Sequence, residues 1–210
     1  MDGSRVKIEN VVGTGDFSPN NRDEEYSIDI EVFAEELEPE TWSNDGAHPG
    51  LHMRVDDSGK EGNSPLTTFY RSGKFIIRAG SIEEVHEENE RVIAELRKTG
   101  FIKEGEEREI PFTISNIVCV ADMGQPVNLE ALAFALDLEK VEYEPEQFPA
   151  LIYRDTVQYE CTFLVFANGK VVIPGGTNVK KIRSAFEDFS EVVEEWLITE
   201  DDSESLTAGL

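Results

Sequence analysis

The sequence is poor in the residues that usually carry chemistry. Its 210 residues include two cysteines and three histidines. Cys119 and Cys161 have neither metal-ligand nor redox spacing and lie in apolar runs, so they read as reduced core residues. His48, His52 and His86 pair with no cysteine or carboxylate at metal or triad spacing, and no phosphate loop is present. Those absences argue against an enzyme and against a bound cofactor. No apolar run is long enough to cross a bilayer, and the opening Met-Asp-Gly-Ser-Arg lacks a signal-peptide pattern. The expectation is a soluble, cytoplasmic protein with no membrane partner.

Positive charge is the other shortage. There are 19 basic residues, only nine of them lysine, against 44 acidic ones, for a net charge of −25. A body this acidic repels nucleic acid in dilute buffer. It suits molar intracellular salt, where the Debye length is about 3 Å and repulsion is largely screened. A halophilic source follows as an expectation. The acids are also unevenly spread: Gly62–Ile82 and Cys161–Phe186 contain none, yet hold Arg71, Lys74, Arg78, Lys170, Lys180, Lys181 and Arg183. Buried strands exclude acids anyway, but burial does not account for the bases. One surface is spared the charge.

The two acid-free windows occupy equivalent places in a duplicated sequence. Glu142-Tyr-Glu-Pro-Glu-Gln-Phe-Pro-Ala-Leu-Ile-Tyr-Arg154 followed by Phe163-Leu-Val-Phe-Ala-Asn-Gly-Lys170 has a degenerate earlier copy, His48-Pro-Gly-Leu-His-Met-Arg54 followed by Phe69-Tyr-Arg-Ser-Gly-Lys74. Ile8-Glu-Asn-Val-Val12 likewise matches Ile114-Ser-Asn-Ile-Val118. The offset shrinks from the asparagine pair to the arginine pair to the lysine pair, so the first half carries insertions. They fall in polar stretches at Asn20–Glu25 and Asp57–Pro65, which extend loops without disturbing a core. The chain divides into a first repeat at 5–100, a charged connector at 101–111, a second repeat at 112–198 and an acidic, disordered tail at 199–210.

Each repeat reads as strand, helix, a run of strands, then a longer helix. In the second, Phe112–Val120 is apolar and β-branched, and Asn128 is placed to cap a helix over Leu129–Leu138 that buries Leu132, Leu136 and Leu138. Tyr159–Phe166 and Lys170–Ile173 are joined by Asn168-Gly169, a hairpin signal matched by Ser72-Gly73. Val179, Ile182, Phe186, Phe189, Val193 and Trp196 recur at helical spacing. In the first repeat Ser81-Ile-Glu-Glu84 forms a capping box before a helix with Ile82, Val85, Val92, Ile93 and Leu96 on one face. Strands paired this way predict an α+β fold: two quasi-identical repeats side by side in one antiparallel sheet, with helices covering only one face. Val12, Ile76, Val118, Val165 and Val172 are expected on the open face, and an apolar patch of that size implies a partner.

Taken together these residues resemble the TATA-binding protein family, archaeal type, over about Val6–Leu197, closely in the second repeat and loosely in the first. The resemblance implies a saddle whose concave sheet face binds the minor groove of a TATA box and bends it. Apolar side chains suit that groove, because A·T pairs lack the guanine amino group. By position, Asn10 and Asn116 resemble the pair that donates to base acceptors, flanked by Val12 and Val118, with Ile76 and Val172 beside them. Phe148 and Phe166 match wedge phenylalanines; Tyr70 and His48 stand at the equivalent first-repeat positions. Arg54, Lys74, Arg154 and Lys170 match phosphate contacts, although a surface base alone is simply a solvated charge. Arg78 and Pro174 replace base-contacting threonines, and Arg78 is placed to enter an A·T minor groove instead. Glu142, Glu144 and Glu146 resemble the surface that engages transcription factor B, and through it RNA polymerase. The implied function is a general transcription initiation factor, nucleoid-associated in a prokaryotic cell. The alternative is a divergent paralogue that regulates mainly by contacting transcription factor B and binds DNA weakly.

Overall fold

The computed structural model describes residues 5–19, 27–37, 50–54, 64–102 and 109–198. The expected wedge position His48, the insertion Asn20–Glu25, the insertion Asp57–Pro65 up to residue 63, most of the connector and the acidic tail lie outside the described residues. The strands are β1 (Lys7–Asp16), β2 (Gly50–Arg54), β3 (Leu66–Tyr70), β4 (Lys74–Ala79), β5 (Phe112–Asp122), β6 (Val141–Glu142), β7 (Ala150–Arg154), β8 (Thr162–Phe166) and β9 (Lys170–Gly176). The helices are α1 (Ile30–Leu37), α2 (Ile82–Lys98), α3 (Leu129–Ala135) and α4 (Val179–Val193). The strands form a nine-stranded sheet in the order β2-β3-β4-β1-β5-β9-β8-β7-β6, an α+β arrangement as expected. By contacts the chain divides into two compact units, Asn10–Ser115 and the remainder.

In the unit Asn10–Ser115, β1 pairs with β4, β4 with β3, and β3 with β2, all antiparallel. Period-two alternation sorts the side chains. Phe75 and Ile77 on β4 are fully buried, as are Phe69 on β3 and Leu51 on β2, while Ile76 and Arg78 between them stay partly open. Helix α2 covers the buried side with Val85, Val92 and Leu96. Ser81 Oγ accepts from Glu84 N at 3.1 Å, and the Glu84 carboxylate reaches back to Gly80 N, one residue earlier than a standard capping box. Phe17, Phe33, Phe69 and Phe75 form an aromatic cluster, with Phe17 and Phe33 stacked at 5.8 Å. Phe101 packs edge-on against Phe33 and Ile102 is fully buried, so the first residues after α2 belong to this core.

A carboxylate is buried with them. Glu88 on α2 is inaccessible, accepts a hydrogen bond from Thr67 Oγ1 at 3.1 Å and pairs with Arg91 at 2.9 Å. Desolvation raises its carboxyl above the ordinary value, while Arg91 and the Thr67 hydrogen bond pull the other way.

In the second unit, β9 pairs with β5 and β8, and β7 with β8 and β6. Phe163 and Val165 on β8, Leu151 on β7 and Ile173 on β9 are fully buried, and Phe189 of α4 stacks on Phe163 at 4.3 Å. Asn178 caps α4 by accepting from Lys180 N and Lys181 N. Both expected hairpin glycines take positive φ, 81° at Gly73 and 85° at Gly169. Cys119 and Cys161 are buried free thiols, and burial pushes the Cys161 thiol up to about 11.

Three expectations need correction. Helix α3 ends at Ala135, because Leu136 turns extended (φ −80°, ψ 161°) and Asp137 Oδ1 accepts from Glu139 N in a turn. Leu129 and Leu132 carry its buried face, and Leu138 is exposed. Val165 points into the core, not onto the open face. It shares parity with Phe163, and Leu164 takes the outward place. Strand β9 runs past Pro174 to Gly176, with a register shift against β5 between Ile117 and Cys119. A proline without an N–H fits such a bulge.

Candidate nucleic-acid interface

The side chains facing away from the helices fall into cross-strand rows. In the second unit Val120 lies opposite Val172, Val172 opposite Leu164, Leu164 opposite Ile152, and Ile152 opposite Glu142 on the edge strand. Four neighbouring strands thus present aliphatic side chains, each partly open. Val118 precedes Val120 on the same strand and is also half-buried. Nothing acidic stands within this aliphatic row; carboxylates occur at its rim, Asp122 opposite Lys170 and Glu142 at the far edge.

Phe148 and Phe166 meet at one end of the surface. Phe166 lies opposite Ala150 in the β7–β8 ladder, and Phe148 sits in the turn before β7. Their rings contact edge to face, 6.2 Å apart at 66°. Phe148 remains 40% exposed, beside the aliphatic row and in contact with Phe166. The turn holding it is tight: Gln147 N and Phe148 N both bond the Glu144 carbonyl, and the Gln147 amide bonds the Glu144 carboxylate. Glu142, at the end of β6, and Glu144 and Glu146, in the turn that carries Phe148, are all exposed.

Asn116 reveals a feature that sequence reasoning missed. The N–H of Gly175 donates to Asn116 Oδ1 at 3.0 Å. Gly175 has φ 99°, a left-handed conformation that glycine tolerates, and it follows Pro174 at the register shift. Since the amide oxygen is engaged, the Asn116 NH2 group is the part left to donate outward. Pro174 therefore comes with a bulge at which the backbone engages the Asn116 side chain. No one-dimensional signal predicts that contact, because it joins residues 59 positions apart.

The bases stand at strand ends. Lys170 is exposed at the start of β9. Arg154, at the end of β7, is half-exposed and pairs with Glu142 at 2.8 Å, so a residue matched to phosphate contact is tied to one matched to partner contact. Behind it the β7–β8 loop is held by Asp155, whose Oδ2 pairs with Lys140 at 2.8 Å and whose Oδ1 accepts from Val157 N and Gln158 N. The Lys140 hydrogen bond leads the causes that hold the Asp155 carboxyl below its ordinary value.

In the unit Asn10–Ser115 the equivalent rows are more polar. Thr14 lies opposite Ile76, Ile76 opposite Thr68, and Thr68 opposite His52. Val12 lies opposite Arg78, and Arg78 opposite Leu66. Arg78 Nη1 donates to Thr68 Oγ1 at 3.4 Å, and His52 Nδ1 is 3.1 Å from the same oxygen. Asn10, two residues before Val12, is partly open, as is Tyr70 at the end of β3. Lys74, opposite Asp16, is exposed. For Arg54 the strand position is described, at the end of β2 opposite Leu66.

A family model described as transcription factor TFIID, or TATA-binding protein, matches residues 5–99 and 111–196. That defines the class: a two-repeat general transcription factor, and not an enzyme. The chain is 39% identical over 191 residues to "TATA-box-binding protein C" of the halophilic archaeon Halobacterium salinarum, covering 90% of this chain and 98% of that one. It is 35% identical to "TATA-box-binding protein 2" of Haloferax volcanii, over 90% and 93% of the two chains. Among solved structures it superposes on "Methanococcus jannaschii TBP" with TM-score 0.68 and 31% identity, covering 90% of this chain and 98% of that one. The chain belongs to the TATA-binding protein family.

Proposed function

We propose that this protein binds the minor groove of a TATA box through the open sheet faces of its two repeats, bends the duplex, and recruits transcription factor B and, through it, RNA polymerase at the nucleoid. The observation that carries the reading is the aliphatic row Val120, Val172, Leu164 and Ile152 beside the Phe148–Phe166 pair. Such a surface desolvates well only against another shallow, largely apolar surface, and the floor of an A·T minor groove supplies one. Asn10 and Asn116 donate to the N3 and O2 acceptors, Val12, Val118 and Ile76 pack beside them, and Phe148 and Phe166 enter a base step and open it. Arg54, Lys74, Arg154 and Lys170 meet phosphates, and Tyr70 stacks at the first repeat's end of the site. Glu142, Glu144 and Glu146 form the acidic face for transcription factor B.

A second reading, a paralogue that works mainly through transcription factor B, draws support from the Arg154–Glu142 pair and from Arg78 and Pro174 in place of threonines. One experiment separates them: a fluorescent TATA duplex titrated at KCl concentrations up to molar, with and without transcription factor B. Saturable binding in high salt is the expected result. Loss of binding at every salt, with transcription factor B still bound, would leave the paralogue as the better account.

A further inference from the structure

We infer that the two repeats read the groove by different chemistry, the second restricted to A·T pairs and the first tolerant of G·C. The footprint on DNA is therefore asymmetric. This rests on the minor-groove reading above. It goes beyond it in assigning base-pair tolerance to Arg78, Thr14 and the Thr68–His52 pair, and strictness to four aliphatic residues.

The observation is a comparison of equivalent rows. Across β5, β9, β8 and β7 the second repeat presents Val120, Val172, Leu164 and Ile152, side chains with no polar atom. The first repeat has Thr14, Ile76, Thr68 and His52 across β1, β4, β3 and β2, with Thr68 covered and the other three partly open. In the adjoining row, Arg78 stands between Val12 and Leu66. The four-strand pairing of these rows is shared, the register shift beside Pro174 aside, and the chemistry of the outer face is not.

Guanine differs from adenine in the minor groove by one exocyclic amino group, a hydrogen-bond donor that fills the groove floor. Pressed against the aliphatic row, that donor loses water and gains no acceptor. An unsatisfied buried donor costs enough to weaken binding by about tenfold or more. Against the first repeat the donor meets oxygens. Thr14 Oγ1 donates its proton to Ser115 Oγ at 2.9 Å, and Ser115 donates in turn to the Val12 carbonyl at 3.2 Å. A hydroxyl committed as a donor still has lone pairs to accept with.

Arg78 supplies the complementary half. Its guanidinium is steadied by Thr68 Oγ1, itself almost wholly covered and 3.1 Å from the His52 ring nitrogen. A guanidinium offers five donors, and anchoring one leaves the others for the groove acceptors. Acceptors at those places exist in every base pair, so an arginine there adds affinity without demanding A·T. The corresponding position in the second repeat is Pro174, which has no donor at all.

The test uses a duplex panel at one high KCl concentration, followed by fluorescence anisotropy. Its members are an all-A·T TATA site, two sites with a G·C pair in one half or the other, a site with G·C in both halves, and the same sites with inosine replacing guanine to remove the amino group. The protein can turn round on a near-symmetric site, so either single-half change is expected to cost less than about threefold. The double change is expected to cost about tenfold or more, and inosine to restore it. In the Thr14→Val/Arg78→Val variant the first repeat becomes apolar, and each single-half G·C duplex is expected to fall at least about tenfold below that variant's own all-A·T affinity.

Tenfold losses from each single-half change in the unaltered protein would overturn the inference while leaving minor-groove binding in place. So would a double change that costs nothing, or one that inosine does not restore. Absence of binding to the all-A·T duplex at any KCl would instead remove the minor-groove reading, and this inference with it. The unaltered protein decides the matter even if the double variant does not fold.

Discussion

Replacing Phe148 by alanine separates a DNA wedge from an ordinary packed aromatic. In the free protein the ring is 40% exposed and its described ring contact is one edge-to-face approach to Phe166 at 6.2 Å. An aromatic pair of that kind contributes about 0.5–1.5 kcal/mol. For a chain of this size a loss of about 1 kcal/mol lowers Tm by roughly 2–4 °C. On DNA the same ring has more to lose, because contact with a base is worth about 1–3 kcal/mol, which converts to about five- to 150-fold in Kd. Binding should therefore suffer more than folding. The assay is a TATA duplex labelled at both ends, in which energy transfer reports the bend and anisotropy the affinity, at the salt where the unaltered protein saturates. Phe148→Leu keeps bulk without the flat face and should fall between. The reasoning fails if Phe148→Ala bends and binds like the unaltered protein. It also fails if the variant loses several kcal/mol of stability with binding intact, since Phe148 would then be a core residue.

Two further outcomes test the fold beneath the site. For Glu88→Gln the prediction concerns a slope: a carboxyl raised above 4.5 by burial holds more protons folded than unfolded between its two pKa values, so stability falls as pH rises through that window. Urea unfolding at fixed KCl should show the variant gaining on the unaltered protein from pH 4 to pH 7, and parallel curves would contradict it. Gly169→Ala should destabilise by more than about 2 kcal/mol, whereas Gly124→Ala should cost only about 1–2 kcal/mol. Both glycines have positive φ, but a Cβ at Gly169 would lie 2.1 Å from the Gln125 carbonyl oxygen and one at Gly124 meets nothing within 4 Å. Equal losses in thermal melts would show that the clash is relieved without cost.

What the sequence disclosed follows from which forces are local. Helices α2 and α4 are legible in strong apolar periodicity, α2 with its cap Ser81 beside it, whereas the Asn178 cap of α4 emerges only from the structure. Gly73 and Gly169 were legible because a tight hairpin turn demands positive φ. Helix α3 is shorter than its apolar pattern: Leu136 and Leu138 continue the spacing, but the Asp137 turn wins against propensity over so short a run. The face of Val165 depends on strand register: parity with Phe166 puts Leu164 outward and Val165 inward. Contacts between residues distant in sequence stayed invisible. The Gly175–Asn116 hydrogen bond, the Arg154–Glu142 pair and the shared Thr68 oxygen each need strand pairing before they exist.

Salt dependence joins the charge of the chain to its face. Counterion release predicts that binding weakens with salt, with a slope of about −0.9 per phosphate neutralised. The bases matched to phosphate contact are few, and Arg154 is already paired with Glu142. Against that small negative slope stands repulsion between the duplex and a body of net charge −25. The repulsion reaches about 10 Å at 0.1 M salt and only about 3 Å at 1 M. Its removal should dominate, so affinity is expected to rise with KCl and then level off. At the plateau the apolar rows, the wedge rings and the asparagine amides carry the binding, none of which depends on unscreened charge. A steady fall in affinity from dilute to molar salt would mean that phosphate contacts lead, and that the aliphatic row is incidental to recognition.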